Sequence, residues 1–173
     1  NAGNSIASGG NYNTVVGDEA GTALTTGDGN TFVGYASGDA TTTAANNTST
    51  GYASLGANTT GHSNAVLGAS ALLANTEGSS NTSIGKDSML VNTTGSNNVA
   101  VGKGALDANT SASYNTSVGE RSMSANTTGA NNVAVGSQAL LANTTAANNT
   151  AVGYSALTAN TTGAQNTAVG TSA

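Results

Sequence analysis

Eight carboxylates, one histidine and three basic side chains are all that this 173-residue sequence brings to acid–base, metal or phosphate chemistry. The acids are Asp18, Glu19, Asp28, Asp39, Glu77, Asp87, Asp107 and Glu120. A pair of carboxylates could divide general-acid and general-base work, and Asp18 and Glu19 are sequence neighbours. Neighbours in a strand point to opposite faces, however, so this pair does not converge on one substrate. His62 has no second histidine and no cysteine to share a metal, which leaves it as a surface residue. Lys86, Lys103 and Arg121 are too few to track a nucleic-acid backbone, and a pI near 4.2 argues against that partner. No phosphate-cradling G-x-x-x-x-G-K-[ST] loop occurs. The expectation is a chain that is not an enzyme and takes no metal or cofactor.

The rest of the composition says why. Charged residues make up 6% and aromatic residues 3%, with one Phe and no Trp, Pro or Cys. Large aromatic side chains bury the most area per residue, so a wide globular core is out of reach. The net charge is only −5 and β-branched residues recur at fixed places, which argues for order over disorder. No apolar run approaches the ~20 residues of a membrane-spanning helix, so no membrane insertion is expected in this segment. The chain begins without Met and stops inside a repeat, as a piece of something longer would.

Asn recurs at Asn13, Asn30, Asn47, Asn64, Asn81, Asn98, Asn115, Asn132, Asn149 and Asn166, always seventeen residues apart. Four residues after each stands a glycine, from Gly17 to Gly170. The consensus is N-T-A-V-G-x-x-A-L-x-A-N-T-T-G-x-N, with positions counted from the Asn. Residues 1–12 form a partial, divergent coil, and 13–173 hold ten units, the last incomplete. A period without insertions requires each unit to be one turn of a coil, because a one-residue slip would exchange the two faces of a strand. The expected architecture is one all-β domain over 1–173, a parallel β-solenoid of about ten coils. At about 4.8 Å per rung it would be a rod of roughly 48 Å.

Two strands per turn are predicted, at positions one to five (Asn98-Val99-Ala100-Val101-Gly102) and eight to eleven (Ala139-Leu140-Leu141-Ala142). The glycines at five and fifteen read as corners that need positive φ. The interior is expected to hold Val or Ile at four, a small residue at eight, Leu or Met at nine and Ala at eleven. Asp in place of Val101 or Val135 would then bury a charge and disrupt several turns. Gly21 and Gly38 replace Leu at position nine, and Thr50 replaces Val at four, so the first three turns should be looser, with local cavities.

Two surfaces carry the candidate contacts. Position thirteen is Thr in every complete unit, including Thr59, Thr76, Thr93, Thr110, Thr127, Thr144 and Thr161. These hydroxyls could satisfy the corner backbone, or form an ordered array that binds ice or carbohydrate. Position six follows the corner glycine and should face solvent. It holds Tyr35, Tyr52 and Tyr154, with Tyr35 and Tyr52 adjacent in space, and exposed tyrosine suits a sugar or receptor contact. The N-x-[ST] sequons, such as Asn58-Thr59-Thr60 and Asn126-Thr127-Thr128, read as by-products of the repeat.

The motif N-x-[AV]-V-G with its small-residue stretch resembles the head repeats of YadA-like trimeric autotransporter adhesins. The longer form N-T-A-V-G-x-x-A-L-x-A-N-T-T-G is similar to repeats of bacterial and phage tail-fibre proteins. The resemblance spans Asn13 to Ala173 and implies a left-handed β-roll packed as a homotrimer. It also implies an extracellular place on a bacterial surface or a phage virion fibre. There the chain would be a spacer or an adhesive head for a host glycan or protein receptor. The turn here is longer than the adhesin head's usual one, and no coiled-coil stalk or membrane anchor lies within these residues. On this reading the partner is the chain itself, and the Leu ladder could gain by burial against it. The alternative is a monomeric ice-binding solenoid with a flat Thr face.

Overall fold

The computed structural model describes residues 2, 3, 6 and 9–173; residues 1, 4, 5, 7 and 8 of the divergent coil lie outside the described residues. Each Asn-led unit forms one three-residue strand at its positions two to four. These are β1 (Thr14–Val16), β2 (Thr31–Val33), β3 (Thr48–Thr50), β4 (Ala65–Leu67), β5 (Thr82–Ile84), β6 (Val99–Val101), β7 (Thr116–Val118), β8 (Val133–Val135), β9 (Thr150–Val152) and β10 (Thr167–Val169). All ten pair in chain order as one sheet. Pairing is parallel and level: Thr14 stands opposite Thr31 and Val16 opposite Val33, and the same offset persists to Val152 opposite Val169. The chain is a parallel β-solenoid of about nine turns, with about 17 residues per turn.

The second strand predicted at positions eight to eleven does not form. Positions six to eleven are tight turns instead. The backbone is left-handed at alternate positions: Gly102 at φ 135, Gly104 at 60 and Leu106 at 56, then Gly119 at 133, Arg121 at 55 and Met123 at 48. An extended strand needs φ near −120°, so this alternation coils the chain where a strand would run straight. A left-handed Leu or Met costs of order 1–3 kcal/mol. Fully burying such a side chain returns roughly 1.5–3 kcal/mol, and Leu55, Leu72, Met89, Leu106, Met123 and Leu140 are all 0% exposed. The turns stay bonded between rungs, as from Leu55 N–H to the Ala71 carbonyl at 3.0 Å and from Leu106 N–H to Ser122 at 3.0 Å.

The interior differs from the predicted one on the strand side. Position three points inward, and Ala100, Ala134 and Ala151 are buried. Position four points outward: Leu67 is 51% and Val135 37% exposed. Alternation along a strand says that positions three and four face opposite ways, but not which way is in. Inside, position three is small Ala or Ser in seven of the ten units; the larger Val15, Phe32 and Val66 also pack into the core, Val15 and Phe32 in the turns where Gly21 and Gly38 leave room at position nine. Position eleven also lies outside, with Val91 39% exposed. Buried Asn at twelve takes its place, from Asn58 to Asn143.

Except at Phe32 and Ser37, whose hydroxyl bonds to Ser49 and Ser54 of the next turn, positions three and eight match each other within a turn. Ser49 faces Ser54 with hydroxyl oxygens 2.6 Å apart, and Ser83 faces Ser88 at 2.6 Å. Ser117 pairs with Ser122 in the same way. Where three is Ala, as at Ala100, Ala134 and Ala151, eight is Ala too, at Ala105, Ala139 and Ala156. A buried hydroxyl without a partner is costly, and the matching avoids one.

The first turns are not hollowed out by Gly21 and Gly38. Phe32 at position three fills that space and is 0% exposed; a Cβ built on Gly38 would lie 2.6 Å from its ring. Leu24, at position twelve, is buried beside it in the same core. The corner glycine at five has positive φ as expected. The glycine at fifteen does not. Crowding acts there: a Cβ on Gly95 would come within 2.4 Å of the Ala112 carbonyl oxygen, a fit that small shifts relieve where Ala44, Ala112 and Ala146 occupy the position.

Candidate functional site

The two buried Asn columns are structural. At position one, the Asn47 side-chain oxygen accepts from the Asn64 backbone N–H at 2.9 Å and its amide group at 3.1 Å. The Asn47 amide group in turn donates to the Gly61 carbonyl at 2.9 Å, and Asn58 at position twelve donates to that same carbonyl at 3.0 Å. Two amides from different sides of the coil thus hold the position-fifteen carbonyl. Asn75 then donates to the Asn58 oxygen at 2.8 Å, extending the second column upward. Asn58 and Asn126, the first residues of two sequons, are 0% exposed in these columns, where no glycan could be carried.

The Thr column at position thirteen aims its hydroxyls along the rod, each at a carbonyl of the next turn. Thr59 donates to the Thr76 carbonyl at 3.0 Å, Thr76 to Thr93 at 3.2 Å, and Thr93 to Thr110 at 2.9 Å. Thr110, Thr127 and Thr144 repeat this toward Thr127, Thr144 and Thr161. These bonds commit the hydroxyl protons to corner carbonyls.

Tyr35 and Tyr52 stack at a centroid distance of 5.3 Å and an interplanar angle of 16°. Both are exposed, at 44% and 61%, and Tyr154 stands alone farther along the same corner. The Glu19 carboxylate beside Tyr35 holds its phenol above the ordinary value. Asp18 also acts on Tyr35, so two acids lie near the pair. Lys86 approaches Asp87 at 3.6 Å on the surface, an ion pair of small worth. His62 is exposed, and its Nδ1 accepts the Ala45 N–H at 3.0 Å. Asp28 and Ser96 at the same repeat position accept Asn11 N–H at 2.7 Å and Ser79 N–H at 3.0 Å. Sequence reasoning missed this role; its signal was an acceptor side chain at position sixteen in several successive units.

The outer face of the sheet is the one expected to lie inside. Positions two and four of all ten strands share the outer face of the sheet, and none of the residues there is charged. Thr or Val fills position two except at Ala65; Val fills position four except at Thr50, Leu67 and Ile84. The exceptions cluster. Thr48, Thr50, Ala65, Val66, Leu67 and Ile84 line an apolar hollow of about 220 Å³ on this face.

No protein family, curated protein or solved structure matches this chain. Function must therefore be argued from the faces just described. The Leu ladder, considered in the sequence as a surface for partners, is closed inside the coil.

Proposed function

We propose that this chain is a rod-like structural segment of an extracellular fibre, on a bacterial surface or a phage virion, assembled from three copies and carrying no catalysis. The single observation behind the reading is the uncharged stripe at positions two and four, a column of mostly Val beside a column of mostly Thr, which runs the whole length of the sheet. Contiguous exposed apolar surface marks interaction sites. A face ridged at one inter-strand spacing is best matched by another face with the same spacing, which a second copy supplies. A strip about 48 Å long and 10 Å wide gives each copy roughly 500 Å² to cover, and the choice of three copies rests on the resemblance to trimeric adhesin heads.

In such a trimer the Tyr35–Tyr52 stack and Tyr154 stay on an outer corner, available to a host glycan or protein receptor. The resemblance to adhesin-head and tail-fibre repeats supports the same reading, and left-handed coiling comes with it. Sedimentation should give a species near three times 16.4 kDa.

The second reading is ice binding, and one observation favours it. Position two places Thr14, Thr31, Thr48, Thr82, Thr116, Thr150 and Thr167 level on the outer face of a sheet, with breaks at Ala65, Val99 and Val133. A monomer that produces thermal hysteresis would select this reading over the fibre.

A further inference from the structure

Seven of the ten strands carry Thr or Val at position two together with Val at position four. A copy displaced along its partner by one rung would therefore keep most contacts between these faces. Something must hold the copies level. We infer that β4 does so: Leu67 of one copy seats in the hollow over Ala65 of the next, and this pairing sets the axial register of the assembly. The inference rests on the trimer reading above and adds to it the residues that align the copies.

The observations are local to β3, β4 and β5. Ala65 replaces the longer Thr or Val at position two, which opens the hollow. In the same strand Leu67 replaces Val at position four and is 51% exposed. A short side chain and a long one thus stand in one rung, on one face. In a ring of identical copies the contacts are head-to-tail. Each copy brings two columns to the axis, so column four of one lies beside column two of the next at equal height. The long side chain then meets the short one from the neighbouring copy. With a slip of one rung Leu67 would face Thr48 or Thr82 instead, and the hollow would be left empty or half filled. Voids and overpacking both cost stability.

A size-swap cycle tests this. The variants are Ala65→Leu, Leu67→Ala and the double Ala65→Leu/Leu67→Ala, all outward-facing, so far-UV circular dichroism and coil melting should match the parent. Trimer dissociation is measured by sedimentation over a dilution series. Each single variant should weaken assembly at least about tenfold, and the double should return to within about threefold of the parent, as coupled neighbours do. Co-expressed parent and double variant should sort into homotrimers beyond the statistical share, read by native mass spectrometry. A double variant no better than the worse single, or statistical mixing, overturns the pairing while the parent's trimeric sedimentation leaves the assembly reading standing. A parent that is monomeric at every concentration overturns both.

Discussion

The finest scale on which the fold can be tested is the hydroxyl pair. Ser83 and Ser88 hydrogen-bond at 2.6 Å inside one turn, and Ser83 also donates to the Ser88 carbonyl at 3.0 Å. Ser83→Ala alone should cost about 1 kcal/mol, the usual net value of such a bond. Adding Ser88→Ala should recover most of it, because the Ala100/Ala105 turn shows that two methyl groups fit the same pair of positions. Thermal or chemical melts of the two singles and the double measure the coupling; additive losses would refute the matching of positions three and eight. A second residue-scale test concerns charge. Burial raises the pKa of Asp107 above its ordinary 3.8, and its Oδ1 is enclosed without a partner. A carboxyl whose folded pKa is raised binds its proton more tightly in the folded state. It therefore lowers stability at neutral pH and stops doing so as pH falls through the folded and then the unfolded value. Asp107→Asn should raise the melting temperature at pH 7, and the gain should vanish below about pH 4. An unchanged difference between pH 7 and pH 3 would show that ionisation is not the cause.

The turn is the scale at which the sequence was most and least legible. Gly102 is left-handed at φ 135, and a Cβ there would lie 2.5 Å from the Gly119 carbonyl oxygen. Gly102→Ala combines backbone strain with a clash between rungs, so it should cost more than about 2 kcal/mol, visible as a lowered melting midpoint. The same change at Gly95 should cost less, because Ala112 and Ala146 already occupy that repeat position. Both the glycine at five and the glycine at fifteen stand out in the repeat, but only the φ values separate their reasons. The seventeen-residue period, the level stacking and the Tyr35–Tyr52 contact follow from spacing alone, since spacing fixes what stacks on what. The direction of the strand does not, because Val99-Ala100-Val101 has the same alternation whichever way it is turned. Leu106 and Met123 favour helix or strand by propensity, and their left-handed backbone arises from inter-rung bonding that no local signal announces. The filled space beside Gly38 was hidden for a related reason. Phe32 stands six residues earlier in the chain, across the interior of the coil.

For the whole molecule, turning the strand over changes what the surface is for. With Val inward, Val135→Asp would place a charge in the core and unwind neighbouring turns. With Val135 outward and 37% exposed, the carboxylate reaches water in the isolated coil and desolvation there is slight. The coil should keep its far-UV spectrum at any concentration. In a trimer the same three carboxylates would converge near one axis in an apolar seam, where burying unpaired like charges costs several kcal/mol or more. Val135→Asp should therefore convert a species of about three times 16.4 kDa into a folded monomer, and Tyr154→Ala, on the outer corner, should leave the assembly intact. Sedimentation paired with circular dichroism separates the cases. Loss of the spectrum would return Val135 to the interior, and a variant that still sediments with its parent would place the partner on some other face than the sheet.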